Sequence, residues 1–491
     1  MLMKNSILLT LFLGLSVSFL GCSKDKDEKP EPKNITDAGL RNSTARTLRV
    51  MAMDGKPVAG AQVLIGKALG TPFEKNLLTT DSNGYIITTD VWSEDSPITI
   101  QAAGFLRATY VNSKSFAGTY TLRAVEPDQE LELSGDTNGF KVTNADGLAD
   151  FGMVISALSI QDLFNLDINK IISPKVDTIT ALGQKINLPS NVTLPKQKET
   201  YILPVNLDKA KYRIYFKSAG PKKMYIGNGQ FPFKKVIDQV NAGKQFYELI
   251  NDFNFLGGSL YDANVVGLTN TLNMTVGAMP FNQSITMKAP TFTDKEYVLS
   301  AAVNTIADGL MYPSDLKNLV SNANQALKVP AAAKPMLVTI MQKKDEAQAA
   351  GGTSDRMSAT IMPLVNGVAP TMLPLLDNPA VSTYKSVKIP FVQALPNVTK
   401  LATYSLLSKV EMQTIDGQQV KVLKRQWEVY ANDWVGAIEL PEWPLEALVQ
   451  ESKLKWEVSF VGTTNEVSSD LLLGPQTLDA ATHATKSAIE F

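Results

Sequence analysis

Short segments of alternating apolar and polar residues, each bounded by glycine-containing turns, restrict this chain to a largely β fold. Residues 47–53 alternate with a period of two, which is typical of a strand with one buried face. Asp-Gly at 54–55 and Asp-Ser-Asn-Gly at 81–84 follow such segments, and these sequences favour the backbone of tight hairpin turns. We therefore predict that residues 47–125 form a small β-sandwich.

Three segments of this region resemble the carboxypeptidase regulatory-like domain, a seven-stranded, prealbumin-like sandwich. They are DGKPVAGAQVLIG at 54–66, TTDSNGYIITTD at 79–90 and ITIQAAGF at 98–105, in the order that the family shows. The resemblance implies an accessory module that carries no catalytic residues. It also implies that Gly60, Gly84 and Gly104 are structural glycines.

The remaining sequence predicts further β-rich units and a few helices. Residues 126–382 form a central β-rich region of one or two domains, in which the apolar spacing of 233–253 predicts a helix weakened at Gly243. Residues 383–465 predict a C-terminal β-sandwich with a hairpin turn at Asp416-Gly417, and 466–491 read as a tail. The predicted fold class is mainly β, with several immunoglobulin-like or prealbumin-like sandwiches in tandem.

The N-terminus resembles a bacterial lipoprotein signal peptide. Lys4 precedes an apolar run at 7–20, and Gly21 stands directly before Cys22, the only cysteine of the chain. The resemblance implies that residues 1–21 are removed and that acyl chains on Cys22 anchor the protein in a membrane. Residues 22–46 then form a charged tether. An uncleaved N-terminal anchor with an incidental cysteine is the alternative. The resemblance to lipoproteins further implies that Ser23, which stands where an aspartate would be a retention signal, favours the outer membrane, on its surface or its periplasmic face.

Composition excludes several functional classes. A single cysteine excludes disulfides within the mature chain and thiolate metal sites. The formal net charge is −1 and no block of basic residues stands out, so we expect no nucleic-acid partner. No second apolar segment reaches the length of a membrane-spanning helix. We also expect no cofactor and no metal. Calcium at the Asp- and Asn-containing turns 81–84 and 144–150 is a weaker alternative to their ordinary role in hairpins.

The sequence shows no established catalytic motif. The only histidine, His483, lies in a polar stretch, where we expect an exposed side chain without a catalytic role. Ser382 and Lys385 have the spacing of serine acyl-transferases, but their segment is expected to be extended, and the partner motifs are missing. We therefore assign no catalytic residue and expect a protein that is not an enzyme.

Three tryptophans near the C-terminus are the candidate ligand contacts. Trp427, Trp434 and Trp443 stand among the carboxylates of Glu428, Glu439, Glu442 and Glu446. Indole rings beside carboxylates suit sugar binding, although cores of β-sandwiches also contain tryptophan. Three hypotheses follow. The first is a non-enzymatic outer-membrane lipoprotein for binding, adhesion or envelope scaffolding, with an unidentified protein or polysaccharide ligand. The second is a surface glycan-binding protein that uses these tryptophans. The third is a hydrolase built on carboxylates.

Overall fold

The computed structural model describes most of the chain after the predicted signal and tether. The described residues are 46–68, 77–88, 96–111, 118–127, 130–140, 147–165, 178–181, 184–187, 200–202, 209–244, 246–306, 309–331, 333–348, 355–415, 418–443, 453–468 and 473–491. Residues 22–45 of the predicted tether, including Cys22, therefore lie outside the described residues, whereas Arg46 already belongs to the first strand. Within them the chain is mainly β, as predicted.

The N-terminal region is a sandwich of seven strands in two sheets. The strands are β1 (Arg46–Ala52), β2 (Gln62–Ile65), β3 (Leu77–Thr79), β4 (Tyr85–Thr88), β5 (Ile98–Gln101), β6 (Arg107–Val111) and β7 (Gly118–Leu122). One sheet has the order β4–β1–β7, and the other contains β3–β2–β5–β6. Leu48 and Val50 point into the core with Val63 and Ile100, as the period-two pattern predicts.

Turn glycines hold this sandwich in register. Gly60, Gly84 and Gly104 have φ values of 70°, 77° and 81°, which confirms the structural role expected of them. A Cβ atom on Gly84 would also collide with the backbone carbonyl oxygen of Val50. At the same turn, one carboxylate oxygen of Asp81 accepts the backbone N–H groups of Asn83 and Tyr85, both at 2.8 Å.

The next region forms a second sandwich. Its elements are β8 (Leu131–Asn138), β9 (Leu148–Ser156), α1 (Ile160–Asn165), β10 (Thr178–Ala181), β11 (Gln184–Asn187), β12 (Thr200–Ile202), β13 (Lys209–Phe216), β14 (Gly220–Pro232), α2 (Phe233–Asn241), α3 (Phe246–Leu249), a 3-10 turn (Ile250–Asp252), β15 (Asn254–Val265), β16 (Thr269–Thr271), β17 (Met274–Thr275) and β18 (Met279–Pro280). The sheet β12–β9–β14–β15–β18 packs against β13–β8–β16, with β17 also paired to β8. The predicted helix at 233–253 is present as these shorter pieces, interrupted near Gly243, which has a φ of 82°.

A third region follows, and it contributes four long strands to the largest sheet of the molecule. Its elements are β19 (Gln283–Lys288), β20 (Glu296–Thr305), β21 (Met311–Asn318), β22 (Asn324–Val329), β23 (Pro335–Lys343), α4 (Lys344–Gln348) and β24 (Met357–Pro363). β19 and β22 pair with each other. Met287 and Leu327 from that pair pack on Val298 and Leu337 of the large sheet.

The last region consists of β25 (Ala380–Thr383), β26 (Ser386–Lys388), β27 (Thr399–Ile415), β28 (Gln418–Ala431), β29 (Ala437–Glu439), β30 (Leu454–Thr463), α5 (Pro475–Asp479) and β31 (His483–Glu490). The small sheet β25–β26–β29 packs over β27, β28 and β30 around Trp427 and Trp456. Ile415 pairs with Gln418, so the predicted hairpin is present, and its Asp416-Gly417 turn lies outside the described residues.

One twelve-stranded sheet connects three of these regions. Its order is β21–β20–β23–β24–β31–β30–β27–β28–β6–β5–β2–β3. β6 of the N-terminal sandwich pairs in parallel with β28, and β31 pairs with both β24 and β30. The N-terminal, third and last regions are therefore not separate domains, because backbone hydrogen bonds run without a break from β3 to β21.

The prediction of a tail at 466–491 was wrong in its local structure. β31 is an inner strand, and its side chains are covered by the segment 371–378. The hydroxyl of Thr485 donates to the carbonyl oxygen of Pro374 and accepts the N–H of Leu376, while Ser487 bonds to Asn378. Small and hydroxylated residues suit a strand that is covered so closely. Because of these residues, the sequence of β31 lacks the apolar alternation that predicts a strand.

Candidate functional site

Trp427 lies where the N-terminal sandwich joins the C-terminal strands. It stands on β28 directly beside Arg107 of β6. Its ring is only 2% exposed, and its indole N–H donates to the Thr109 hydroxyl at 2.8 Å. This burial contradicts the predicted ligand contact of Trp427, because its ring packs in the core cluster between the two regions.

Trp443 and Trp434 flank the same junction. The backbone N–H of Glu442 donates to the carbonyl oxygen of Lys67 at 2.7 Å, which fixes the segment before Trp443 against the end of β2. Trp443 itself is 5% exposed. Trp434 is half-buried, stacks on Phe460 at 5.2 Å and donates its indole N–H to the Val461 carbonyl oxygen. The three rings therefore do not form one exposed aromatic surface.

A small pocket opens beside Trp443, and we call it the junction pocket. It has a volume of about 210 Å³ and is lined by Gly60, Gln62, Gln101, Ala102, Ala103 and Trp443. Gln62 and Gln101 are register partners on the neighbouring strands β2 and β5. Side chains of such partners project from the same face of a sheet, with Cβ atoms about 5 Å apart.

Arg107 connects the pocket to the buried tryptophan. Its guanidinium carbon lies 4.3 Å from the ring centre of Trp427 and 5.3 Å from that of Trp443. Its Nε donates to the Gln101 side-chain oxygen at 2.9 Å. Stacking on two indoles restrains the guanidinium, and the restrained guanidinium in turn sets the orientation of the Gln101 amide.

The chemistry of the junction pocket is that of neutral hydrogen bonding. Two primary amides offer both donors and acceptors, and none of the lining side chains ionises near neutral pH. The volume is below the ~300–1,000 Å³ of sites for drug-sized ligands, so the pocket suits one small group. Sequence reasoning identified Trp443 but missed both glutamines, since neither belongs to a local motif. The only sequence feature that points to the two glutamines is their position in predicted strands, where the period-two pattern places each on the face away from the sandwich core.

A buried ionic cluster lies on the other side of β28. The Glu428 carboxylate is 1% exposed and accepts bonds from Arg123 at 3.0 Å, from Tyr404 at 2.9 Å and from Tyr430 at 3.0 Å. Burial, together with the Glu428 charge, raises the pKa of Tyr404 and Tyr430, so both hydroxyls remain protonated donors. Burial is the largest single effect on the pKa of Arg123 and lowers it, but Glu428 together with Tyr430 and Tyr404 outweighs burial, so the pKa of Arg123 is raised.

This cluster holds elements from distant parts of the chain. Arg123 also donates to the side chain of Gln161 on α1 at 3.2 Å. Gln161 donates in turn to Asp479 of α5 at 2.8 Å and to the Pro475 carbonyl oxygen at 3.2 Å. Because Glu428 is enclosed and its two oxygens already accept three donors, the arrangement serves to stabilise the junction.

The remaining carboxylates near the three tryptophans in the sequence are dispersed in the structure. Glu439 forms an exposed ion pair with Lys67 at 3.4 Å. Glu442 is exposed, and Glu446 lies outside the described residues. Ser382 is on β25 and Lys385 is in the turn that follows it, so this segment is extended, as expected, and not a helix.

The prediction of an exposed His483 was wrong. The side chain is 3% exposed at the start of β31, with Nε2 3.2 Å from the Thr371 hydroxyl and Nδ1 2.9 Å from the Thr482 hydroxyl. Burial lowers the pKa of His483, because the charged imidazolium is poorly solvated there. Its contacts are two hydroxyl groups, one from Thr371 of the segment that covers β31 and one from Thr482 directly before it.

Two further predictions concern residues that the structure does not describe. Lipidation at Cys22 stays a prediction, as does the calcium alternative at Asn144 and Asp146. Within the described residues, no group of three or more His, Cys, Asp or Glu side chains is placed to hold a metal ion. None of the helices that the structure describes is long and apolar enough to span a membrane.

Comparisons with known proteins give only faint likenesses. The sequence matches no protein-family profile and no curated protein. Among solved structures, the Bacillus anthracis TIE protein is 8% identical, with 66% of this chain and 49% of that protein covered and a TM-score of 0.14. A streptococcal ancillary pilin is 7% identical, with coverages of 67% and 98% and a TM-score of 0.14. A pilus adhesin of Lactobacillus rhamnosus GG is 12% identical, with coverages of 82% and 43% and a TM-score of 0.14.

The chain spans about half the length of the first of these proteins. At TM-scores this low, the likenesses carry no argument about what the chain does.

Proposed function

We propose that this protein is a non-enzymatic, lipid-anchored module of the outer membrane that acts in binding, adhesion or envelope scaffolding. Residues 47–125 serve in it as a carboxypeptidase regulatory-like accessory domain. Cys22 carries the acyl chains, and the charged segment that follows separates the folded part from the bilayer. The single observation that supports this function most is the twelve-stranded sheet.

The sheet matters because it joins three regions of the chain through continuous backbone hydrogen bonds. A binding surface at one end of separate, flexibly linked domains is held in place only by weak domain contacts. In this chain, ladders such as β6–β28 and β30–β31 join the regions through backbone hydrogen bonds. A tethered rigid body of this kind presents its surfaces at a fixed geometry, which suits adhesion and scaffolding.

Membrane fractionation of cells that produce the wild type or the Cys22→Ala variant tests the anchor. We expect the wild type in the membrane fraction and incorporation of a palmitate analogue. We expect the variant to lose the label and to appear in the soluble fraction or to accumulate unprocessed. A Ser23→Ala variant is the matched control and keeps the label. Equal labelling and equal membrane association of Cys22→Ala would contradict the anchoring proposal.

Protease treatment of intact cells, with lysed cells and a periplasmic protein as controls, distinguishes the two forms of the proposal. Digestion in intact cells favours adhesion from the cell surface. Protection until lysis favours scaffolding on the periplasmic side. In either case, we expect chemical cross-linking of intact cells to yield a discrete higher-mass species that contains this chain. The absence of any such species would contradict a binding role.

A further inference from the structure

We propose that the junction pocket binds one neutral sugar ring, with Gln62 and Gln101 as the two residues that contact its hydroxyl groups. This inference rests on the proposed role as a binding protein and assigns that role a ligand and a site. The pocket lies between two regions that the large sheet joins, and its walls come from β2, β5 and the segment of Trp443.

The paired amides give the site its chemistry. Gln62 and Gln101 are opposite each other across β2 and β5, and both are half-buried. Each primary amide has two N–H donors and one carbonyl acceptor. Neighbouring hydroxyl groups on a sugar ring each need both a donor and an acceptor, so two adjacent amides can satisfy a pair of them.

Arg107 prepares one of these amides before a ligand arrives. Because the Arg107 Nε donates to the oxygen of Gln101, the NH₂ group of Gln101 is left as the donor on the other side. The guanidinium is itself held over Trp427 and Trp443. An amide that is already oriented loses less conformational entropy on binding, which favours affinity in a small site.

Size and charge define the ligand class. A volume of about 210 Å³ corresponds to roughly seven water molecules at ~30 Å³ each, which suits one ring and not an oligosaccharide chain. The lining side chains carry no charge, and the nearby Arg107 guanidinium is engaged by the Gln101 oxygen and the two indole rings, so the lining offers no direct counter-ion to a uronic acid. Trp443, Ala102 and Ala103 supply the apolar contact for the C–H groups of the ring.

Ligand-observed NMR on the purified full-length protein in detergent tests the proposal. The probes are the methyl glycosides of glucose, galactose, mannose and N-acetylglucosamine, with methyl glucuronide as the charged counterpart. We expect at least one neutral glycoside to bind with a Kd of about 1 mM and the glucuronide to bind at least tenfold more weakly. Gln62→Met and Gln101→Met, which keep side-chain length without polar atoms, are each expected to weaken binding by about tenfold.

Gln283→Met, at an exposed glutamine on β19, is the matched control and is expected to bind like the wild type. Arg107→Lys tests the positioning role, since lysine keeps the charge but loses the planar donor, and we expect weaker binding with an unchanged preference among glycosides. Thermal unfolding verifies that each variant is folded.

Two results would overturn the proposal. One is a lack of saturable binding of every neutral glycoside at concentrations well above 1 mM. The other is binding that Gln62→Met and Gln101→Met leave unchanged while both are folded. Failure of the sugar-binding proposal would appear only in the NMR titration and would not change the results of membrane fractionation or cross-linking. Failure of the proposed function would appear in membrane fractionation and cross-linking and not in the NMR titration.

Discussion

Replacing Arg123 by methionine should destabilise the protein strongly, because it leaves the Glu428 charge buried without its counter-ion. The Arg123 side chain is 23% exposed and the Glu428 side chain 1% exposed, at an N–O distance of 3.0 Å. At an effective dielectric constant of about 20, two charges at this distance attract by about 5.5 kcal/mol, and the cost of desolvation cancels part of this attraction.

Measured losses from breaking a buried pair on one side are about 3–5 kcal/mol. The partial exposure of Arg123, and the two tyrosine hydroxyls that still donate to Glu428, place this variant near the lower end. We therefore expect the free energy of unfolding to fall by about 3 kcal/mol. The double variant Arg123→Met, Glu428→Gln removes the charge and should recover most of that loss. Tyr404→Phe removes one bond to a charged acceptor and should cost about 1.5 kcal/mol.

Urea unfolding followed by tryptophan fluorescence measures these differences, because Trp427 and Trp456 are buried in the neighbouring core. Lys56→Met serves as the control, since its ion pair with Asp54 is exposed on both sides, and we expect no measurable change. A loss below about 1 kcal/mol for Arg123→Met would refute the reasoning. So would a double variant that is no more stable than Arg123→Met alone.

Three further predictions concern His483, Trp427 and Gly84. Burial lowers the pKa of His483 in the folded state, so the contribution of His483 to stability is complete above the unfolded pKa of about 6.5 and is lost as the pH falls below that value. Urea midpoints measured from pH 8 to 5 should therefore decrease on the acid side, and His483→Gln should make that decrease smaller. An identical pH profile for the variant and the wild type would contradict this prediction. Trp427→Ala should lower the free energy of unfolding, measured in urea, by about 3–5 kcal/mol, and Trp434→Ala should lower it clearly less, because only the Trp427 ring is fully buried. A larger loss for Trp434→Ala than for Trp427→Ala would contradict the packing. Gly84→Ala should lower the free energy of unfolding by about 1–3 kcal/mol because of the positive φ and the collision with Val50, and an unchanged thermal midpoint would argue against it.

Much of the N-terminal sandwich could be predicted because its signals are local. An alternating segment and a turn glycine, such as Val50 and Gly84, report on their immediate neighbours along the chain. The same is true of the hairpin around Asp416-Gly417. What could not be predicted is pairing over a long sequence distance, such as Arg107 with Trp427, since nothing near either residue specifies its partner.

The candidate site follows the same rule. Trp443 could be identified from its residue type alone. The junction pocket, however, also needs Gln62 and Gln101, which lie side by side only because β2 pairs with β5. The burial of His483 was also beyond local signals. It depends on the segment that contains Thr371, which crosses β31 from more than one hundred residues earlier in the chain.

The parallel pairing of β6 with β28 constrains the order in which the protein can be completed. Trp427 and Thr109, which bond across this ladder, are 318 residues apart. At a synthesis rate of ~5–20 residues per second, β6 waits tens of seconds before its partner has been made. During that time the edge of β6, which contains Tyr110, has no β28 partner and is open to pairing with other strands. Correct assembly of the twelve-stranded sheet thus depends on protection of the β6 edge until β28 has been synthesised.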